Sequence, residues 1–563
     1  MNRETLNFCD QLNINVVEVA HGIAQDASKY LEYAIDSVVA RVAPDGFINS
    51  QLLETNQHAV HSLAWIATYV EVLLRTSDWA DCLDRENRLG DLDQSMLVVI
   101  FGEYLQQLKN GIPMNQVETA RPVDLGLESR VAECLSSNDI AQLENISANP
   151  DFRLAAVQQL SEREFESPIM GDETLDLVRE QFRRFADEKI TPHAQTWHDK
   201  NDLVPLDLIQ ELGEMGVFGL TLPEEWGGSS LGKLTMCVVS EELSRGYIGV
   251  GSLGTRSEIA GELIASSGTH DQKNQFLPGI ASGEILPTVA FTEPDFGSDL
   301  AHLKTRAELV TRSSGDSVWR IFGAKTWITH AVRADLMTLL VRTEPEERGY
   351  KGLSILLAEK LRGNEKHLFP SEGMSGSEIE VLGYRGMREY EIGFNGFEVP
   401  AGNLLGDAPG QGFKQMAQAM ESGRIQTAAR SVGVARNALE LGLRYAIDRR
   451  QFGKSILNFP RVYGKLLLMA AETIAAREVT YFSAREKDSG RRCDLEAGMA
   501  KLLAARVAWS NADAAMQIHG GNGFALEYSI SRVLCDARVL SIFEGASEIQ
   551  ATVIARNLVN SRL

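Results

Sequence analysis

From the start of the chain to about residue 165, apolar side chains recur at every third or fourth position. Leu63, Ile66, Tyr69 and Leu73 form one stripe, and Leu97, Ile100, Tyr104 and Leu108 form another. This period predicts helices with one buried face. Pro44-Asp45-Gly46 and Asn110-Gly111-Ile112-Pro113 break the pattern, and Ser147-Ala148-Asn149-Pro150 and then Glu166-Ser167-Pro168 precede a new unit. Helical spacing resumes over 175–189, 206–214, 232–244 and 259–266. Between 287 and 400 the character changes. Val318-Trp319-Arg320-Ile321, Trp327-Ile328-Thr329, Leu336 to Arg342 and Leu353 to Leu357 are short β-prone runs separated by Gly, Asp and Ser turns. Long helical patterns return over 424–450, 462–487 and 494–519. Helices, then strands, then helices predict an α+β chain, mainly α, with a β-domain inserted mid-chain. The expected segments are a helical extension (1–165), a helical domain (166–286), a β-domain (287–400) and a C-terminal helical domain (401–563).

Composition narrows the class. With 563 residues the chain has room for three or four domains of roughly 150 residues each. Hydrophobic residues at 44% and charged residues at 23% exclude a mainly disordered or fibrous protein. The 55 Lys+Arg against 77 Asp+Glu leave a net charge of −22. That argues against a nucleic-acid or anionic-membrane surface, while leaving room for a local basic pocket. The longest apolar stretch, Ala59 to Leu74, is interrupted by His61, Ser62, Thr68 and Glu71, and Met1 to Thr5 carry no apolar signal core. A cytoplasmic protein without membrane attachment is therefore expected. Cys9, Cys82, Cys134, Cys237, Cys493 and Cys535 lie far apart and form no C-x-x-C pair, so neither a cysteine-rich zinc site nor a dense disulfide framework is expected; no metal site is expected.

Five segments carry candidate chemistry. Leu286 to Leu300 runs from a β-prone stretch into a turn whose hydroxyls and amides suit a polar ring edge or a pyrophosphate, or else form a plain hairpin loop. In Gly323 to Thr329, strand alternation puts Trp327 and Thr329 on one face, an indole and a hydroxyl suited to a flat aromatic cofactor; taken alone, the segment reads more simply as an ordinary strand with a core Trp. Arg449 to Lys454 and Gln517 to Phe524 each end a long helical pattern in a basic or glycine-rich stretch, where a C-cap or a solvated charge run is the plain alternative. Glu544, between Phe543 and Gly545, is either a general base in partly apolar surroundings or a first-turn charge of the last helix.

In order and spacing, T-E-P-D-F-G-S-D, G-A-K-T-W-I-T, G-D-A-P-G-Q-G-F, R-R-Q-F-G-K, Q-I-H-G-G-N-G-F and I-F-E-G-A-S-E-I-Q resemble the FAD-dependent acyl-CoA dehydrogenases, over about residues 169 to 563. The resemblance implies a helical domain, a central β-barrel and a C-terminal four-helix bundle forming a homotetramer, with 1–165 as an additional N-terminal helical domain. It implies FAD as cofactor, a short or branched acyl-CoA as substrate, and electron-transfer flavoprotein as acceptor. Carried over, Phe291, Thr292, Gly297 and Ser298 contact the flavin and the acyl-CoA mouth, and Trp327 and Thr329 cover the ring. Arg449, Phe452, Gln517, Gly520 and Gly521 reach the FAD of a neighbouring subunit, and Glu544 is the base that removes the α-proton. Arg424, Ser298 and Gly545 fall to the acyl-CoA, and Arg256 falls where relatives line the acyl end. There Arg256 would hold a substrate carboxylate, or else would pair with Glu258 or Glu262 at the surface. Ala546 stands where the family has Thr. Some relatives carry the base immediately before an Arg matching Arg424; that position is Gly423 here and cannot serve. A glutaryl- or isobutyryl-type enzyme is the nearest alternative. A non-catalytic nucleic-acid-binding relative is disfavoured by Glu544 and by the charge of −22.

Overall fold

The computed structural model describes residues 15–162 and 172–563. The expected break at Glu166-Ser167-Pro168, Met1 to Thr5 and Cys9 lie outside the described residues. In chain order the principal helices before the sheet are α1 (Val16–Val42), α2 (Gln57–Arg85), α3 (Asp91–Asn110), α4 (Gly232–Gly246) and α5 (Leu253–Ser267). The strands are β1 (Pro287–Ala290), β2 (Arg306–Thr311), β3 (Ser317–Thr329), β4 (Leu336–Arg342), β5 (Leu353–Glu359), β6 (Met374–Ile379) and β7 (Glu389–Pro400). The helices α6 (Gly412–Asp448), α7 (Pro460–Asp488), α8 (Asp494–His519) and α9 (Ser547–Arg562) follow. The chain divides into two compact units: Met1–Glu180 with Thr427–Leu563, and Gln181–Gln426.

In the first unit both predicted stripes are buried, with Leu63, Tyr69, Leu73, Leu97, Ile100 and Tyr104 fully enclosed. The break at 110–113 is a small hairpin, 112–113 pairing with 119–120. Helix α2 lies against α7, α8 and α9 as well as α1 and α3, so the extension and the C-terminal helices share one core. Arg506 of α8 bonds Glu472 of α7 at 2.6 Å and lies over the rings of Trp65 and Tyr69. Arg75 of α2 covers Phe482 of α7, His61 meets Thr552 of α9 at 3.1 Å, and Arg562 pairs with Asp36 and Glu32 of α1. Each large apolar side chain enclosed here contributes about 1.5–3 kcal/mol.

The second unit is built around a curled seven-stranded sheet in the order β1-β4-β2-β3-β7-β6, with β5 on β4. The β-prone runs at 318–321 and 327–329 are parts of one strand, β3. Strand β4 is buried on both faces. Its Leu336 and Leu340 join Ile259, Leu263, Phe276 and Leu277 of the covering helices, while Met337, Leu339 and Val341 join Ile321, Tyr390 and Ile392 in a second core. This two-residue alternation places one helical layer on the sheet and encloses the other face in its curl. Strand β7 carries no clear strand pattern in the sequence because Gly393 and Gly396 interrupt its apolar alternation, and β6 carries none because it is polar.

Among the described residues no helix is long and apolar enough to cross a membrane, and no cluster of His, Cys, Asp and Glu is arranged to hold a metal ion.

Candidate active site

In the unit Gln181–Gln426, the loop T-E-P-D-F-G-S-D leaves β1 and is bound to β3 at its base. Glu293 accepts hydrogen bonds from the amides of Lys304 (2.7 Å) and Thr305 (2.9 Å) and from Lys325 Nζ (3.0 Å). Lys325, fully buried, also donates to the Phe291 carbonyl at 2.9 Å. Burial alone would raise the Glu293 carboxyl, but the Lys325 ammonium and these amides outweigh it and hold it below the usual carboxylate value. Burial pushes Lys325 down to about 8, against the pull of Glu293. Thr292 Oγ1 donates to the Thr326 carbonyl at 2.5 Å, and the Thr326 amide returns a bond to Thr292. Phe291 is packed into the core below, while Gly297 and Ser298 are exposed at the loop's far end.

The pairing of β3 with β7 slips between Lys325 and Ile328, so Thr326 and Trp327 occupy a β-bulge. Trp327 takes φ +60°, a conformation rare for a bulky residue, and its side chain is 57% exposed. Thr329 is buried; the bulge interrupts the alternation that would have put the two on one face. The Thr329 hydroxyl donates to Glu389 Oε1 at 2.8 Å, so donation to a ring atom would require that bond to be exchanged. Arg256 Nη2 lies 3.4 Å from the same hydroxyl and 3.2 Å from Tyr384 Oη. Arg256 is only 7% exposed, and Glu258 and Glu262 are both engaged by Lys233. Arg256 thus belongs to a buried chain with Thr329 and Glu389. Arg424, on α6, is partly buried, and Gly423 packs so closely that a Cβ there would stand 3.2 Å from Ile259 Cδ1.

An exposed indole held on a strained bulge, with the adjoining loop bonded to that bulge and ending in Gly297 and Ser298, is the surface a flat, partly polar ring system packs on. These residues fit FAD.

The unit containing Thr427–Leu563 holds the remaining candidates. Helix α6 ends at Asp448, and R-R-Q-F-G-K folds into a two-residue hairpin, Arg450 opposite Ser455 and Gln451 opposite Lys454. Phe452 (φ +51°) and Gly453 (φ +80°) form its turn, the two positive φ values that a type I′ turn needs. Phe452 is 93% exposed, and Arg449, three residues earlier, is exposed as well. Helix α8 ends at His519, whose ring stacks on Tyr445 at 4.2 Å, while Asn522 donates to the Tyr445 and Tyr528 hydroxyls. Thus Arg449, Phe452, Gln517, Gly520 and Gly521, from two distant motifs, gather at one end of the bundle with exposed side chains or backbone.

Glu544 precedes α9 and has φ +53°. The next residue, Gly545, has φ +93°, a conformation that residues with a side chain rarely adopt. Buried Lys501 donates to the Gly545 carbonyl at 2.6 Å, and Gln550 to the carbonyls of Glu544 and Gly545. The Glu544 side chain is 8% exposed, its Oε2 accepting from Thr427 Oγ1 and from Arg430 Nη2 at 2.8 Å. Ala546 is the N-cap of α9 and makes no side-chain capping bond.

Residues 172–284, 288–397 and 410–559 match the N-terminal, middle and C-terminal domains of acyl-CoA dehydrogenase. The chain belongs to the acyl-CoA dehydrogenase family. The (2S)-methylsuccinyl-CoA dehydrogenase of Cereibacter sphaeroides is 56% identical over 548 residues, 97% of this chain and 98% of that protein. That match therefore extends into the N-terminal helices, which precede the family's own domains. A glutaryl-coenzyme A dehydrogenase solved with glutaryl-CoA superposes with a TM-score of 0.65 at 30% identity, over 70% of this chain and 97% of that one. A chain in the solved structure of an electron transferring flavoprotein of Acidaminococcus fermentans gives 0.65 at 29% identity, over 70% and 100%.

In this acyl-CoA dehydrogenase, Glu293 and Lys325 lie inside T-E-P-D-F-G-S-D and G-A-K-T-W-I-T, but only the structure shows that they pair. No motif contains Glu389, Tyr384, Thr427 or Arg430. Tyr384 (φ +60°) and Glu389 carry no local signal. Arg430, a charge within the small and apolar run Ala428-Ala429-Arg430-Ser431-Val432, was the one legible clue.

Proposed function

We propose that the protein oxidises (2S)-methylsuccinyl-CoA to mesaconyl-CoA. Glu544 takes the α-proton of the thioester, and the hydrogen on the adjacent carbon leaves as hydride. The α C–H electron pair becomes the new double bond as that hydride departs. FAD, when bound, supplies the hydride acceptor. Trp327, Thr329, Phe291, Thr292, Gly297 and Ser298 would hold it, with Arg449, Phe452, Gln517, Gly520 and Gly521 contributed by a second copy within a homotetramer. Arg424, Ser298 and Gly545 would bind the acyl-CoA. A hydrogen bond from the Glu544 amide to the thioester oxygen would stabilise the charge developing there, worth about 3 kcal/mol in comparable sites.

The observation that carries the substrate assignment is buried Arg256. The free carboxylate that distinguishes methylsuccinyl from fatty acyl groups needs a cation, and a guanidinium meets it with two parallel bonds. The likeness to the Cereibacter sphaeroides enzyme supports the same choice. Electron-transfer flavoprotein is the proposed acceptor and the cytoplasm the proposed compartment.

The test is anaerobic bleaching of the purified yellow protein by a panel of CoA thioesters. Methylsuccinyl-CoA should reduce the flavin fastest. Faster reduction by glutaryl- or isobutyryl-CoA would overturn the assignment. Peroxide formed without an added acceptor would replace the flavoprotein partner by oxygen.

A further inference from the structure

The carboxylate of the base proposed above is held by Arg430 and Thr427, which no motif contains. Arg430 and Thr427 lie three residues apart on α6 and so project from one side of the helix. Arg430 is fully buried, its Nη2 placed 2.8 Å from Glu544 Oε2 and 2.8 Å from Thr427 Oγ1, and the Thr427 hydroxyl donates to the same carboxylate oxygen. The guanidinium carbon lies 5.1 Å from the centre of the Phe543 ring, next to Glu544 in sequence. Lys501 donates to the Gly545 carbonyl and Gln550 to the carbonyls of Glu544 and Gly545, and the backbone of Glu544 is kept at φ +53°. Donors on the carboxylate and on the backbone together hold this side chain in place.

We infer that Arg430 is the positioning residue of the base and that Thr427 is its second arm. This rests on Glu544 being the base. A buried carboxylate without a cation would take a proton from solvent and arrive at the thioester already protonated. Arg430 keeps it ionised and aimed until the α-proton is offered. At that step the C–H bond breaks, the O–H bond forms on Glu544, and the electron pair stays with the substrate. Arg430 itself makes and breaks no covalent bond. A single guanidinium spanning Glu544 and Thr427 does this with two donors in one plane, which an ammonium cannot reproduce.

The experiment is the rate of flavin reduction by methylsuccinyl-CoA in the FAD-loaded protein, followed by stopped flow from pH 5 to 10. In Arg430→Gln the rate at neutral pH should fall by about 10²-fold, and the acid limb of the profile should move to higher pH by one unit or more, while the apparent dissociation constant of the thioester stays near the wild-type value. Arg430→Lys should restore the position of the limb but not the full rate. Thr427→Val should slow reduction in the same direction, more mildly, with an unshifted thioester affinity.

An Arg430→Gln protein that keeps its FAD and shows an unchanged limb and rate would overturn the inference, reducing Arg430 to a structural residue. If that variant does not fold, an unchanged rate in Thr427→Val overturns it instead. Failure of the base assignment would look different: Glu544→Gln would then still be reduced by substrate at nearly the wild-type rate.

Discussion

Lys325 and Glu293, 32 residues apart, form a buried ion pair of 3.0 Å that joins the T-E-P loop to the strand carrying Trp327. Removing one partner of such a pair leaves a buried charge unmatched and costs about 3 kcal/mol or more. Glu293→Gln should lower the melting temperature and weaken FAD retention together. Its folded carboxyl lies below the unfolded value of 4.5, so its stabilisation is fully present above that pH and is lost as pH falls through the lowered folded value. The variant should lack this part of the acid slope. On the alkaline side, the folded chain releases the Lys325 proton near 8 while the unfolded chain keeps it to 10.5. Lys325 therefore makes stability rise with pH across that window. Denaturant melts at several pH values check both slopes; an acid slope identical to wild type in Glu293→Gln would contradict the pairing.

Trp327→Ala removes the exposed indole from the bulge without emptying a packed core. FAD affinity should fall by about 2 kcal/mol, some thirtyfold in Kd, at little cost in apoprotein stability. Arg449→Ala should also weaken FAD retention, and with it the association of subunits. Flavin content after gel filtration and the elution volume report both. Full flavin in both variants would remove these motifs from the cofactor.

Arg256→Ala separates two roles. If the guanidinium binds a substrate carboxylate, kcat/KM with methylsuccinyl-CoA should fall at least about 100-fold further than with isobutyryl-CoA, because a desolvated carboxylate is left unpaired. An equal loss on both substrates would assign Arg256 to holding Thr329 and Tyr384, and would leave the substrate choice without its cation.

Ala546→Thr places a hydroxyl at the uncapped start of α9. An N-cap of this kind is worth about 1 kcal/mol, so the unit containing α9 should melt at a slightly higher temperature. An unchanged or lower melting temperature would mean that the hydroxyl cannot reach the amides of the first turn.

The helical stripes at Leu63–Leu73 and Leu97–Leu108 were legible because one face of each helix is buried for its whole length, so the period survives in the residues. The unread elements fail that condition. Strand β7 is interrupted by glycines, and the Trp327 bulge resets an alternation that the letters alone continue. Glu544, Trp327 and Phe452, which the motifs single out, all have positive φ, a feature of the backbone that the letters do not announce. The partners of the base were out of reach. Arg430 lies 114 residues from Glu544, and nothing in A-A-R-S-V says which of the chain's 77 acidic residues it meets.

The central claim, that Glu544 is the base of a flavin-dependent acyl-CoA oxidation, is tested most directly by anaerobic stopped-flow reduction of FAD-loaded Glu544→Gln with methylsuccinyl-CoA. Gln keeps the size and the hydrogen bonds to Thr427 and Arg430 but cannot take a proton. The flavin should remain bound and its reduction should slow by several orders of magnitude. Flavin reduction at nearly the wild-type rate would contradict the account and place the base elsewhere.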